Sequence, residues 1–62
     1  MTEYKVMAKG KHQKRFRCYG RGTDSYHAER NADSLAKSLW TGSVKIIVTD
    51  SNGIKNELIY KK

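Results

Sequence analysis

The sequence predicts an α+β fold in the order ββαββ, with one helix packed on one face of a four-stranded antiparallel or mixed sheet. Two observations support this prediction. Four stretches alternate between apolar and polar residues with the period of two that is typical of half-buried strands. Between the second and third stretches, apolar residues recur at helical spacing instead. At 62 residues, the whole chain is expected to form a single small domain with one core.

The first hairpin is predicted from residues 2–9 and 14–22, each of which alternates between an apolar and a more polar set. A slip of one residue would turn every side chain over, so we require both apolar sets to share a face. Pairs whose numbers sum to 24 meet this requirement and place Ala8 opposite Phe16. Residues 11–13 then form the tip of the loop, in the manner of a three-residue hairpin.

The helix is predicted to run from about residue 26 to residue 41. Either Asp24 or Ser25 is suited to accept a hydrogen bond from the free N–H groups of its first turn. Gly42 is a natural stop at the other end. Trp40, in the predicted last turn, is expected to cover the lower edge of the core, with an exposed aromatic contact as the alternative. The stripe that faces the sheet is expected to contain Ala28, Ala32, Leu35, Ala36 and Leu39.

The second hairpin is predicted from residues 43–50 and 54–60, and β-branched residues make the first of these the clearest strand. Pairs whose numbers sum to 104 leave a three-residue loop with Gly53 in a left-handed conformation, and they place Val44 opposite Tyr60. The strand order stays open, because the helix could return the chain to either edge of the first hairpin.

One helix covers only one face of the sheet, so the other face is predicted to be open to solvent. If the even-numbered strand residues meet the helix, the odd-numbered residues lie on the open face. Eight of these fourteen residues are basic and one is acidic. Solubility alone would mix Glu with Lys, so the single sign of charge favours a binding role. The fourteen are Lys5, Met7, Lys9, Arg15, Arg17, Tyr19, Arg21, Lys45, Ile47, Thr49, Lys55, Glu57, Ile59 and Lys61.

The charge of the chain predicts an anionic partner, with nucleic acid (DNA or RNA) as the leading class. Thirteen Lys and Arg against six Asp and Glu give a net charge of +7, and residues 9–22 hold six basic residues and no acidic one. Such a surface attracts phosphates, and interleaved aromatic residues can touch bases. The residues expected to contact nucleic acid are Lys5, Lys9, Lys11, Lys14, Arg15, Arg17, Tyr19, Arg21, Lys45 and Lys55.

An alternative interpretation is a small inhibitor or adaptor that docks on an acidic host protein. The apolar residues expected on the open face would contact this partner, and the basic residues would select it. A short basic chain of either kind is typical of phage or mobile-element accessory proteins. The chain is expected to be a monomer or a homodimer paired through a sheet edge.

Enzymatic and metal chemistry are not expected. Cys18, the only cysteine, is predicted to point into the core, whereas His12 lies in a loop and His27 in the first helical turn. One Cys and two His also fall short of a tetrahedral zinc set, so no metal or cofactor is expected. The single cysteine and the lack of an apolar signal or membrane-spanning segment predict a cytoplasmic protein.

Overall fold

Five elements form the part of the chain that the computed structural model describes, residues 1–61. The strands build one sheet in the order β2-β1-β3-β4, and each neighbouring pair is antiparallel. The helix packs on one face of this sheet. The predicted ββαββ fold is therefore confirmed. Of the two predicted sheet types, antiparallel and mixed, the sheet is antiparallel. The elements are β1 (Glu3–Gly10), β2 (Arg17–Gly22), α1 (Ser25–Lys37), β3 (Thr41–Thr49) and β4 (Lys55–Lys61).

The strand order, which the sequence left open, follows from where α1 returns the chain. β2 and β3 are both antiparallel to β1 and therefore run parallel to each other, so a crossover must connect them. α1 is that crossover, and it places β1 and β3 at the centre with β2 and β4 at the two edges. No helix in residues 1–61 is both long and apolar enough to cross a membrane.

The core lies between α1 and the two central strands. Even-numbered residues of β1 and β3 face the helix there, which confirms the predicted face of both strands. The helix contributes two buried alanines, whose short side chains let its axis approach the sheet closely. Each buried Val or Ile adds about 1.5–3 kcal/mol to the stability of the fold. The buried apolar residues are Val6, Ala8, Ala28, Ala32, Val44 and Ile46.

The start of α1 is fixed by Asp24, one of the two predicted capping residues. Its Oδ1 accepts a hydrogen bond from the backbone N–H of Tyr26 at 2.9 Å, and its Oδ2 lies 2.6 Å from Nδ1 of His27. The bond from Tyr26, together with the nearby His27, lowers the pKa of the Asp24 carboxyl. This cap satisfies one of the N–H groups that a helix leaves free in its first turn.

The predicted end of the helix is wrong. α1 ends at Lys37, because β3 already begins at Thr41 and pairs there with Gly10 of β1. An extended chain is needed for this pairing, so residues 38–40 turn away from the helix. Leu39, predicted to lie in the core, is consequently 88% exposed. The predicted stop residue, Gly42, is part of β3.

Lys61 caps the C-terminal end of the helix through its side-chain ammonium group. Its Nζ donates to the backbone oxygen of Ala36 at 3.1 Å and to that of Thr41 at 2.8 Å. A positive charge is favoured at this end of a helix, where backbone carbonyls have no partner of their own. The prediction that Lys61 lies on the open face is therefore wrong. The reason is a bulge at Tyr60, which turns Lys61 onto the face of its partner Val44.

The predicted register of the first hairpin is also wrong. The numbers of paired residues sum to 26 at Tyr4 and Val6 and to 25 at Met7 and Ala8, and a bulge in β2 separates the two registers. Val6 pairs with Gly20, but the next residue, Met7, pairs with Cys18, which leaves Tyr19 as an extra residue. A bulge of this kind reverses the alternation on one side of itself. Ala8 consequently lies opposite Arg17 instead of Phe16, and β2 begins at residue 17 instead of residue 14.

The second hairpin confirms most of its predicted register. Ile46 lies opposite Leu58 as predicted, and the backbone N–H of Asp50 donates to the oxygen of Ile54 at 3.0 Å, which encloses a three-residue loop. Gly53 has a φ of 83°, the left-handed conformation that was expected. The predicted partner of Val44 is wrong, because the bulge at Tyr60 moves Lys61 into that position.

Candidate nucleic-acid interface

The open face of the sheet, opposite α1, differs from its prediction in β2. Met7 faces away from the helix, and its partner Cys18 therefore lies on the open face as well. Cys18 is exposed instead of pointing into the core, and its thiol donates to the backbone oxygen of Gly20 at 3.4 Å. Arg17 lies opposite Ala8 and so belongs to the helix side of the edge strand. The bulge at Tyr19 causes both changes.

Phe16 lies on the open face instead of in the core. The Nζ atoms of Lys9 and Lys45 are 5.1 Å and 4.3 Å from the centre of its ring. Both lysines belong to the open face by the register of β1 and β3. Cation–π attraction of this kind contributes about 0.5–1 kcal/mol at exposed sites. The ring therefore holds two cations close together at the end of the sheet where the first hairpin turns.

The open face is less basic than predicted, and each of its two acidic residues forms an ion pair with a lysine. Nζ of Lys45 lies 2.8 Å from Oε1 of Glu57, and Nζ of Lys5 lies 3.9 Å from Oε1 of Glu3. These two lysines are partly neutralised by the carboxylates. In residues 1–61, the register places five basic side chains on this face against those two acidic ones: Lys5, Lys9, Arg21, Lys45 and Lys55.

The strongest concentration of positive charge lies in the segment between and including residues 11 and 17, which we call the basic loop. Four of its side chains are cationic and exposed, and no Asp or Glu oxygen of residues 1–61 lies within 4.0 Å of their charged nitrogens. Most of the segment precedes β2, so Arg15 is a loop residue and not a strand residue on the open face. The four cations are Lys11, Lys14, Arg15 and Arg17.

Backbone contacts hold the start of the basic loop in place. Gln13 donates its backbone N–H to the oxygen of Gly10 at 3.1 Å, and its side-chain Oε1 accepts from the N–H of Gly10 at 2.8 Å. Lys11 donates its N–H to the backbone oxygen of Trp40 at 3.1 Å. The loop is thus tied to the end of β1 and to the turn before β3. A shallow depression follows, lined by Gln13, Lys14, Arg15 and Arg17.

Two acidic residues lie on the helix, whereas Glu3 and Glu57 lie on the open face. Glu29 and Asp33 belong to α1, and their proximity adds to partial burial in raising the pKa of the Tyr60 hydroxyl. Lys37 pairs with Asp33 at 3.0 Å. Arg30 and Lys37 lie on the same helix, so α1 carries as many Lys and Arg as Asp and Glu residues, and the excess of positive charge lies in the basic loop.

A cleft of about 360 Å³ separates the start of α1 from the end of β2. Its lining includes His27, which is bonded to the capping residue Asp24, and Asn31, whose Nδ2 donates to the backbone oxygen of Tyr19 at 3.3 Å. Cys18 lies on the other face of the sheet, so the cleft does not bring the cysteine and a histidine together. Its polar side chains stabilise the helix start and the bulge.

Two aromatic residues next to the basic loop have a position that the sequence did not predict. Tyr19, expected on the open face, instead has its ring 5.6 Å from the ring of Trp40. Trp40, expected at the end of the helix, lies in the turn before β3. The one available signal was the position of Trp40 off the apolar stripe of the helix.

In comparisons with known proteins, no protein-family model matches this sequence, and no curated protein or solved structure matches it significantly.

Proposed function

We propose that this protein binds nucleic acid without catalysing a reaction, and that the basic loop makes the main contacts. The observation behind this proposal is the concentration of exposed cations in residues 11–17, with no Asp or Glu oxygen of residues 1–61 within 4.0 Å of their charged nitrogens. A cation that already pairs with Asp or Glu has to give up that partner before it can bind phosphate. Within residues 1–61, the four cations of the basic loop have no such partner to lose, so their charge is available to a polyanion.

The basic loop and the neighbouring edge of the sheet suit a phosphate backbone. Arg15 and Arg17 line one depression together, and each guanidinium can donate two parallel hydrogen bonds to a phosphate. Lys9 and Arg21 extend the positive surface along the open face of β1 and β2. Lys45 and Lys5 contribute less in this proposal, because carboxylates partly neutralise them. Lys55 lies at the far side of the sheet, in β4.

The alternative function, binding to an acidic protein, is supported by a different surface. Strand β4 carries two exposed apolar side chains. Ile59 on the open face is 55% exposed, and Leu58 on the helix side is 50% exposed. A protein partner would gain apolar contact area from these side chains, whereas a phosphate backbone would not. The two functions therefore depend on opposite edges of the sheet, and variants at each edge distinguish them.

The test compares two double variants with equal net charge. Arg15→Gln with Arg17→Gln removes two cations from the basic loop, and Arg30→Gln with Lys37→Gln removes two from the helix, so each lowers the charge from +7 to +5. Fluorescence anisotropy with labelled DNA and RNA oligonucleotides in 50 mM salt measures affinity. We expect the loop variant to bind at least about tenfold more weakly, and the helix variant to stay within about twofold of wild type.

Circular dichroism and thermal melting establish that both variants are folded. Equal losses in the two variants would show that only overall charge matters, which contradicts a localised interface. A wild-type protein that binds neither DNA nor RNA at low salt would disprove the proposal. In that case, capture of an acidic protein that is lost with Ile59→Lys would support the alternative.

A further inference from the structure

Tyr19 and Trp40 form an exposed aromatic pair. Their rings are 5.6 Å apart between centres and inclined by 52°, and the two residues remain 40% and 43% exposed. They come from separate elements, because Tyr19 is the extra residue of the β2 bulge and Trp40 lies in the turn between α1 and β3. Neither belongs to the buried core between α1 and the central strands.

The aromatic pair borders the basic loop. A Cβ atom placed on Gly10 would lie 3.4 Å from Cε3 of Trp40 and 3.4 Å from Oε1 of Gln13, so both side chains crowd over the end of β1. The backbone of Trp40 also accepts a hydrogen bond from Lys11. Gln13 in turn lines the depression that contains Arg15. The rings and the cations thus belong to one continuous surface.

Aromatic rings beside phosphate-binding cations are the combination that single-stranded nucleic acids require. An unpaired base offers a flat face on which a ring can stack, and its phosphate lies within reach of a neighbouring Lys or Arg. A duplex hides the faces of its bases within the stack and presents only base edges and phosphates. A duplex would therefore use the basic loop and leave the two rings without a contact.

We propose that Tyr19 and Trp40 stack on an unpaired base of a single-stranded nucleic acid whose phosphates bind the basic loop. This inference rests on the proposed function and adds its substrate class. It assigns the recognition of bases to the aromatic pair and the recognition of phosphates to the cations.

Trp40 is the only tryptophan, so the intrinsic fluorescence of the protein reports directly on this site. The probes are an oligothymidylate of about twelve nucleotides, an abasic oligonucleotide of the same length, and a duplex of about twelve base pairs, all in 50 mM salt. We expect the oligothymidylate to quench Trp40, because a stacked base contacts the indole. The abasic strand keeps the phosphates and should bind about tenfold more weakly, with little quenching.

Two variants separate stacking from structure. Trp40→Ala should bind labelled oligothymidylate about tenfold more weakly and bind the abasic strand as wild type does. Tyr26→Ala removes an exposed ring whose contacts are with His27 and Arg30, and it should change neither affinity. If Trp40→Ala does not fold, Tyr19→Ser provides the same comparison from the other ring. Anisotropy of the labelled strands is the readout for all variants.

The possible failures of the two proposals are distinguishable. If none of the three probes binds wild type at low salt, the proposed function is wrong and the stacking site is wrong with it. If the strands bind but the abasic strand binds equally well and Trp40 is not quenched, the stacking site is disproved while the proposed function stands. Tighter binding of the duplex than of the oligothymidylate would likewise overturn the single-stranded assignment.

Discussion

Among the glycines, Gly42 has the closest approach of a neighbouring backbone to the place of a Cβ atom. It is the extra residue where β3 changes register, since Lys9 pairs with Ser43 but Gly10 pairs with Thr41. A Cβ atom at Gly42 would lie 2.9 Å from Cα of Lys11. This is a backbone atom, so a change of side-chain rotamer cannot relieve the contact. A glycine is therefore required at this position, for space and not for the helix stop that the sequence indicated.

Gly42→Ala should destabilise the protein by about 2 kcal/mol, because the new methyl group forces β1 and β3 apart. Thermal unfolding measures this as a fall in Tm of roughly 10 °C for a domain of this size. Gly22→Ala is the matched control, since a Cβ there would meet no atom within 4 Å. Its effect should stay within about 0.5 kcal/mol. Equal effects of the two substitutions would contradict the close approach.

At the scale of elements, the sequence predicted features that local chemistry determines and missed those that depend on distant contacts. The start of α1 was predictable because Asp24 bonds a backbone group two residues later. The loop at Gly53 was predictable because it too depends on local chemistry, namely the left-handed conformation that glycine adopts readily. The bulge in β2 was not, because Asn31, twelve residues away in sequence, donates to the Tyr19 carbonyl that the bulge exposes. The bulge is also the reason why the predicted faces of the candidate site residues in β2, such as Arg17, were wrong.

The end of α1 was also beyond local prediction. It depends on pairing between β1 and β3 and on Lys61, whose sequence separation from Ala36 is 25 residues. By contrast, the faces of β1 and β3 followed from the period of two, because these central strands keep a regular alternation through most of their length. The basic stretch 9–22 was found from composition alone, since a concentration of cations needs no register, but its division into the basic loop and β2 was not predicted.

Lys61→Met tests the contact that closes the helix. The substitution keeps the apolar part of the side chain but removes the ammonium that bonds the oxygens of Ala36 and Thr41. We expect a loss of about 1–2 kcal/mol in the free energy of unfolding, measured by denaturant titration. Lys55→Met, at the other end of β4, should change stability by less than about 0.5 kcal/mol. A neutral Lys61→Met would show that the cap is not stabilising.

At the scale of the whole molecule, the core and the main concentration of positive charge lie in different parts of one thin sheet. The core lies between α1 and one face of the sheet, and the uncompensated positive charge of residues 1–61 is concentrated in the basic loop, beside the edge strand β2. A protein with this separation would meet a polyanion in a preferred orientation. The proposed function depends on this asymmetry more than on the total charge of +7.

The most direct test of the account is the dependence of single-stranded oligonucleotide affinity on salt between 50 and 200 mM. If the four cations of the basic loop, Lys9 and Arg21 contact six phosphates, the logarithm of the binding constant should fall against the logarithm of salt with a slope of about −4. Affinity would drop roughly 300-fold over this range. The slope should shrink to about −3 in Arg15→Gln with Arg17→Gln. A flat dependence, or an unchanged slope in that variant, would contradict the basic loop as the site of phosphate binding.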